Sequence, residues 1–586
     1  MSLRFDLKDI LNGNLKVLDD LTSNVKQIQD DVLKEILTLN EDTEYLHRFL
    51  HGSSDKELFK TSVPFVTYED VQPYLDRLAK GEPSKVLSAL PITGFLLSSG
   101  TSGGKQKILP LNDKYLENMR FIYDLRSLII SKHVDGVEHG KGMMFLLLRE
   151  ESTSTKSSCF PATFATSSFF ESKYVRDRPT YWYNSYTSPD EVFWCPDNKQ
   201  SLYCHLLCGL VQRDDVVRIG AVFSPIVVRA ITTLETYWRE LCANIRSGQV
   251  SDWITDLSCR ASVSTILKGP NPGLADLIQQ ICSHKSWQGI IRQLWPNAKY
   301  IEGVFTGQMA QYVPTLEFYS DKLPLISPTY ASSETFFGIN VNPLCKPQDV
   351  TYTFMPNIAF FEFLPVDKES NNDIVDLADV KLGCYYVPLV TTYSGLYRYK
   401  MDDILQVAGF HNKAPQFRFA RRKNEVLSIQ SEGTTEVELL KAVTNAKLVL
   451  ESSDLMLMDF TSCADISTTS TPSHYVLYWE LKAKNLDNTS TKVDDKVLVE
   501  CCHVVEESLN ASYRKERTKE GAIGALEIRV VQNGTFDALM EFFVSRGASV
   551  AQYKTPLSIK STEALAVLES KVLARFFSEK SPPIDH

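Results

Sequence analysis

Through the first fifty residues, Leu15, Leu18, Leu21, Val25, Ile28, Val32, Ile36 and Leu37 recur at helical spacing with charged residues between them, the pattern of paired amphipathic helices. Val63 to Leu78 reads as a short extended piece followed by a helix, and Ile92 to Leu97 is an apolar run that ends in small residues. Leu116 to Ile130 is helical, with Tyr123 and Arg126 one turn apart and therefore on one face. Met143 to Leu148 reads as a short buried strand, Leu202 to Val211 as an apolar helix and Val216 to Val222 as a strand. Helices alternating with short apolar strands predict an α/β architecture with parallel or mixed sheets. A basic run, Phe417 to Asn424, lies between Pro415 and the apolar stretch Val426 to Ile429, and marks a hinge. It divides the chain into a large domain, residues 1–424, and a small one, residues 425–586. The small domain contains strand-like Tyr475 to Leu481, helical Leu498 to Leu509, strand-like Leu526 to Val531 and a terminal helix, which suit an α+β cap. Thr461 to Ser473 and Ala483 to Asp494 are polar and read as mobile loops.

With 586 residues, 43% of them hydrophobic, the chain buries more than one core. A net charge of -10 argues against a constitutive nucleic-acid or anionic-membrane surface, since both need a dominant basic patch. No apolar run is long enough to cross a bilayer, and the longest, Val216 to Val228, is interrupted by Arg218 and Pro225. The N-terminus has no secretory hydrophobic region, so a soluble, cytoplasmic protein is expected. The 12 cysteines are scattered without zinc spacing. Cys204-His205-Leu206-Leu207-Cys208 and Cys501-Cys502-His503 read as buried core thiols.

Three motifs carry candidate chemistry. Ser98-Ser99-Gly100-Thr101-Ser102-Gly103-Gly104 follows the run to Leu97. Small residues cannot form a core, but their backbone N–H groups can converge on one point, and the glycines allow close approach to a phosphate. The same composition also makes a plain surface loop. In Thr329-Tyr330-Ala331-Ser332-Ser333-Glu334 a carboxylate stands among hydroxyls beyond the extended run Leu323 to Ile326, as a magnesium or ribose ligand would, or as the first turn of a capped helix would. Leu396-Tyr397-Arg398-Tyr399-Lys400-Met401-Asp402-Asp403-Ile404 alternates Tyr with cations like a strand, and an Asp at its end can hold a diol through both oxygens. A solvated charged turn is the alternative.

In this order the motifs resemble those of the adenylate-forming, firefly-luciferase-like superfamily. With Phe354-Met355-Pro356-Asn357, Phe361-Glu362-Phe363 and the late Gln552-Tyr553-Lys554-Thr555-Pro556, the chain is similar over essentially its whole length to the plant auxin-responsive acyl acid amido synthetases. The resemblance implies an N-terminal domain with β-sheets and a β-barrel-like element flanked by helices, and a cap that swings between two half-reactions. It implies that Mg-ATP activates a carboxylic acid as an acyl-adenylate and that an amino acid then displaces AMP. Under it, Ser98, Ser99, Thr101 and Ser102 cradle phosphates, Glu334 holds Mg²⁺, Asp403 binds the ribose and Tyr352 lines the nucleotide or acyl site. Lys554 meets the α-phosphate and the reacting carboxylate. Tyr123, Arg126, Ile130, Thr166, Val222, Thr329 and Ala331 form the acid pocket, in which Arg126 can pair with a carboxylate. Auxin-type indole-alkanoic acids, substituted benzoates and jasmonate are candidate acids, and the aromatic wall favours a flat ring. The expected partners are small molecules, with no nucleic acid, no membrane and a monomeric state.

The sequence departs from that family pattern in three places. Asp402 stands where Gly is usual, Glu432-Gly433-Thr434 where Asp-Lys-Thr is usual, and Leu557 where an Arg is usual. Arg421, Arg422 and Lys423 are candidate replacements for the missing cations. The departures keep two other readings open, a non-catalytic ligand-binding protein and a ligase that passes the acyl group to coenzyme A.

Overall fold

The computed structural model describes residues 13–98, 106–149, 159–176, 185–366, 373–422, 425–430, 432–451, 453–466, 472–485 and 495–584. The amphipathic pattern of the first residues becomes the helices Lys16–Ser23 and Val25–Asn40. Their apolar face packs on aromatic residues of a nine-stranded sheet, among them Phe337, Phe354, Phe361 and Phe417. Gln29 pins the second helix to that sheet, donating to the carbonyls of Pro356 (2.7 Å) and Ala359 (2.8 Å) and accepting from the Phe361 N–H (2.8 Å).

Along its main path the nine-stranded sheet runs from Val375–Asp376 through Phe360–Pro365, Tyr385–Thr391, Asp403–His411, Ala414–Arg422, Tyr352–Phe354 and Phe336–Ile339 to Thr329–Ala331, and its neighbours pair antiparallel. A second sheet is fully parallel, in the order Lys141–Met144, Val216–Phe223, Tyr300–Val304 and Leu325–Ile326. Its core includes the helices Asn198–Val211 and Ser224–Ser247. The long helix Asp113–His133 follows a small sheet in which Gly94–Leu97 and Ile108–Leu111 form a hairpin. In the C-terminal part, Leu455–Asp465, His474–Ala483, Glu527–Val531 and Val572–Phe577 form a four-stranded sheet. The helices Glu436–Glu451 and Asp495–Ser508 contribute to one core against it, and Thr535–Ser545 and Thr562–Glu569 to another. The α/β expectation and the larger and smaller parts are met.

Four local expectations are corrected. Strand pairing stops at Met144, although Phe145 to Leu148 stay buried. Thr461 to Asp465 are strand rather than loop, because their hydroxyls have partners inside the fold: Thr461 donates to the Pro556 carbonyl and Ser462 to that of Leu557, both at 2.5 Å. The terminal helix Thr562–Glu569 is followed by the edge strand Val572–Phe577. Leu396 to Ile404 is neither one strand nor a solvated turn. Arg398 sits there at φ +48° and only 1% exposed, with its guanidinium bound to both carboxylate oxygens of Glu362 (2.9 and 3.0 Å) and to the carbonyls of Lys60 and Val63.

Among the described residues, no helix is long and apolar enough to cross a membrane and no group of three His, Cys, Asp or Glu could hold a metal ion. Cys204, Cys208, Cys501 and Cys502 are buried free thiols. His205 lies between Ser188 (2.7 Å) and the Leu146 carbonyl (3.2 Å), and burial pushes its pKa down to about 4.

Candidate active site

Ser98 follows the strand Gly94–Leu97, and its N–H donates to the Lys107 carbonyl (3.0 Å) while its hydroxyl accepts from the Lys107 N–H (2.9 Å). Ser98 therefore sits at the base of the small-residue loop. Ser99, Thr101 and Ser102 lie outside the described residues. Lys107 reaches Asp402 at 3.1 Å and stands over the Tyr68 ring, so the acidic residue found in place of the usual Gly pairs with a cation opposite Ser98.

Glu334 lies in the turn between the paired strands Thr329–Ala331 and Phe336–Ile339, which removes the helix-cap reading. Its N–H donates to the Ser332 hydroxyl (3.2 Å). Burial raises its carboxyl pKa, offset by Ser332 and the Lys107 charge, and reinforced by Asp403. Asp403 accepts the Tyr330 hydroxyl at 2.6 Å and pairs with Arg422 at 3.4 Å, and the two ion-pair partners are directly opposite across the ladder. Tyr352 is buried behind Tyr330, with ring centroids 5.7 Å apart, and its hydroxyl meets that of Thr306 at 3.2 Å. Burial pushes the Tyr352 hydroxyl up to about 12.

The Lys554 ammonium lies 4.5 Å from the centroid of the Phe223 ring. Burial, and then the Arg422 charge, bring its pKa down to about 8 against the opposing pull of Asp403 and Glu436. Glu436, at the start of the helix Glu436–Glu451, has its own pKa raised by burial. Lys554, Asp403, Arg422 and Glu436 thus share one electrostatic cluster.

Phe223 also lines a cavity of about 190 Å³. Tyr123, Arg126, Thr166, Val222, Thr329 and Ala331 line it. Ile130 does not: the helix carries it past the cavity, into a cluster with Val134, Val137, Tyr300 and Ile326. The aromatic wall is Tyr123 edge-on to Phe169 (5.1 Å) and to Phe336 (6.2 Å). Arg126 stacks on Tyr123, 4.1 Å from the ring centroid, and binds Glu302 at 3.0 Å and the Thr329 hydroxyl at 3.3 Å. Arg218 approaches the other oxygen of Glu302 at 3.9 Å. Two guanidinium groups around one carboxylate leave this wall with a net positive charge, which suits an acid or a polar ring substituent. Gly142 makes room for the second, since a Cβ there would lie 2.5 Å from the Arg218 Nε.

Sequence reasoning passed over Arg218, Glu302, Phe223, Glu436 and Tyr330 as site residues. The available signal was a lone charge inside each of two apolar strands, Val216–Phe223 and Tyr300–Val304, because a buried charge needs a partner or a function. The two departures in the C-terminal part have structural roles. Glu432 accepts the N–H groups of Ile429 (2.6 Å) and Gln430 (2.8 Å) and the Tyr475 hydroxyl (2.7 Å), and Gly433 takes φ +46°. Leu557 is 6% exposed in the C-terminal core. Of the candidate replacement cations, Arg422 is the one paired with Asp403, and Lys423 lies outside the described residues.

The sequence matches the GH3 family N-terminal domain over residues 14–325, the central domain over 352–422 and the C-terminal domain over 437–563. It is 60% identical over 577 residues to the 4-substituted benzoates-glutamate ligase GH3.12 of Arabidopsis thaliana, covering 98% of this chain and 99% of that protein. It is 51% identical over 602 residues to the indole-3-acetic acid-amido synthetase GH3.17 of the same plant, covering 99% and 98%. The fold is similar to that of the AtGH3.15 acyl acid amido synthetase in complex with 2,4-DB, with a TM-score of 0.91, 49% identity and full coverage of both chains. The chain belongs to the GH3 family.

Proposed function

We propose that this protein is an ATP-dependent acyl acid amido synthetase, an acid–amino acid ligase that forms an amide through an acyl-adenylate. The observation that carries the reading is the position of Lys554, 4.5 Å from a ring that lines the acid cavity and within the field of Asp403, Arg422 and Glu436. A carboxylate is a poor electrophile, and joining it to the α-phosphate of ATP supplies a leaving group. In the first step a carboxylate oxygen bonds to the α-phosphorus and pyrophosphate departs. The Lys554 ammonium, largely protonated at neutral pH, meets the negative charge that gathers on the phosphate. In the second step the amine of an amino acid attacks the activated carbonyl, and AMP leaves with the former carboxylate oxygen.

In this reading Asp403 receives the ribose hydroxyls, and Tyr330 holds its carboxylate in place. The loop from Ser98 through Ser99, Thr101 and Ser102 takes the phosphates, with Lys107 at its end, and Tyr352 backs the nucleotide wall. Glu334 suits Mg²⁺, because that ion takes hard oxygen donors and keeps one or two protein carboxylates together with water and substrate phosphates. The metal supplies charge neutralisation to the phosphates. Tyr123, Phe169 and Phe336 give the cavity an aromatic wall for the planar ring of the acid, and Arg126 and Arg218 supply cations for its polar end. The relatives act on 4-substituted benzoates and indole-3-acetic acid, and an aromatic acid of either kind suits this wall.

Residues 1–424 form the adenylation domain and residues 425–586 the cap that carries Lys554. Met456, Met458 and Met540 of the cap pack into the core of the N-terminal part, a soft contact that suits a moving surface. One chain supplies both sides of the site, which suits a monomer, and we place the enzyme in the cytoplasm. The test is a matrix of acids against amino acids scored by AMP formation. Acid-dependent and amine-dependent AMP carries the reading. Ligand binding without AMP would identify a binding protein, and a thioester with coenzyme A the other ligase class.

A further inference from the structure

The loop that carries Lys554 is zipped to its own sheet through Pro556 to Ile559: the Ser462 N–H donates to the Leu557 carbonyl (2.9 Å) and the Ile559 N–H to the Ser462 carbonyl (2.8 Å). Those bonds hold the loop to the cap but do not hold the cap against the acid and ATP sites. Beside this loop, contact with the N-terminal body runs through Asp459, in the strand Leu455–Asp465. Its Oδ2 accepts the hydroxyl of Thr555, the residue after Lys554, at 2.7 Å. The same oxygen accepts the hydroxyl of Tyr312 at 3.0 Å. Tyr312 ends the 3-10 helix Gly307–Tyr312, which follows the strand that supplies Glu302. The other oxygen, Oδ1, accepts the Phe460 N–H at 2.8 Å. Alongside, Gln308 of the same 3-10 helix donates to the Thr555 carbonyl, and Lys447 donates to the Gln311 carbonyl at 2.8 Å.

We propose that Asp459 is a positioning residue for adenylation, a latch whose one oxygen ties the Lys554 loop to the N-terminal body and so sets the distance between the ammonium and the reacting carboxylate. A carboxylate at a closed domain boundary costs free energy unless donors surround it, and here the donors come from both sides of the boundary. The latch closes only when Tyr312 and Thr555 face each other, so it reports the cap orientation that adenylation uses and opens when the cap leaves. A shift of about 1 Å in a catalytic group costs on the order of a hundredfold in rate.

This inference rests on the amido synthetase reading, and the two are tested separately in one experiment. Acid-dependent pyrophosphate release measures adenylation, and AMP release from a pre-made acyl-adenylate with amino acid measures transfer. Asp459→Ala should lower the first by about tenfold or more while the second stays within about twofold. In the Lys554→Ala background the same change should add nothing, because the latch acts only through the lysine. Tyr312→Phe and Thr555→Val, which each remove one donor and no volume of consequence, should lower adenylation in the same direction. The latch is overturned by unchanged adenylation in both hydroxyl variants, by equal losses in both half-reactions, or by an undiminished Asp459→Ala effect in the Lys554→Ala background. A wild-type enzyme that released no pyrophosphate would overturn the underlying reading instead.

Discussion

Lys554 stands over the face of Phe223, 4.5 Å from the ring centroid, and Phe223 is a wall of the cavity that Tyr123 and Arg126 also line. The residue expected to meet the nucleotide and the residues expected to meet the acid are therefore joined by one aromatic side chain. Replacing Lys554 by Ala should cut the rate of acid-dependent pyrophosphate release by about a hundredfold or more while the acid dissociation constant changes little, since the loss falls on charge that develops in the transition state. Calorimetric titration of the acid, set beside the rate, checks the split. Near-normal adenylation in the variant would remove Lys554 from the mechanism.

The same lysine predicts a pH profile. Its pKa, lowered to about 8, means that the ammonium is present below that pH and lost above it. The value of kcat/KM for ATP should therefore fall as pH rises through about 8, the free-enzyme limb for a group required in its protonated form. In Lys554→Arg, whose guanidinium does not deprotonate in this range, that limb should be absent. A limb that stayed in place would assign it to another group.

Asp403 and Glu334 should separate by substrate. Asp403→Ala removes the partner of Tyr330 and Arg422, so it should chiefly raise the KM for ATP. Glu334→Gln should shift the magnesium dependence of the rate to higher concentration. A titration of rate against magnesium that superimposed on wild type would leave Glu334 a turn residue and no more.

Arg126 should govern the choice of acid. Arg126→Lys keeps the charge but loses the planar fork that spans Glu302 and Thr329, and Arg126→Leu loses both. The kcat/KM ratio of a hydroxybenzoate to an indole acid should fall in both, and further in Arg126→Leu. A constant ratio across the three proteins would place Arg126 in structural support of Glu302 alone.

The buried pair outside the site makes a stability prediction. Arg398 and Glu362 are nearly inaccessible and doubly hydrogen-bonded, so Glu362→Ala strands a guanidinium in the core and should cost about 3–5 kcal/mol, read as a lowered midpoint in urea unfolding.

What could be read in advance follows from where the information lies. The helix Asp113–His133 announces itself by its period, and that period puts Tyr123 and Arg126 on the cavity face. It does not say where the cavity ends, which is why Ile130 was included and lies beyond it. Arg218 looks like an interruption of an apolar run and Glu302 escapes notice, because the partner that makes each charge tolerable comes from a different strand or helix. Arg398 misled in the same way, its alternation with tyrosines suggesting a strand where a buried ion pair and a left-handed backbone decide the path. Thr461 and Ser462 looked like loop because their hydroxyls are polar, and only the folded chain supplies the Pro556 and Leu557 carbonyls that accept from them. The motifs around Ser98, Glu334 and Asp403 stand in a turn, a strand end or a loop beside small or hydroxyl residues, where chemistry rather than packing selects the side chain, whereas Lys554 is singled out only by the family resemblance.

The central claim is that an acyl-adenylate forms on this protein, and the direct measurement is the fate of a labelled oxygen. An aromatic acid carrying ¹⁸O at both carboxylate oxygens is turned over with ATP and an amino acid, and the nucleotide product is weighed by mass spectrometry. Attack of the carboxylate on the α-phosphorus, followed by amide formation, leaves one labelled oxygen on each AMP. Unlabelled AMP, or label found instead in inorganic phosphate, would contradict the account.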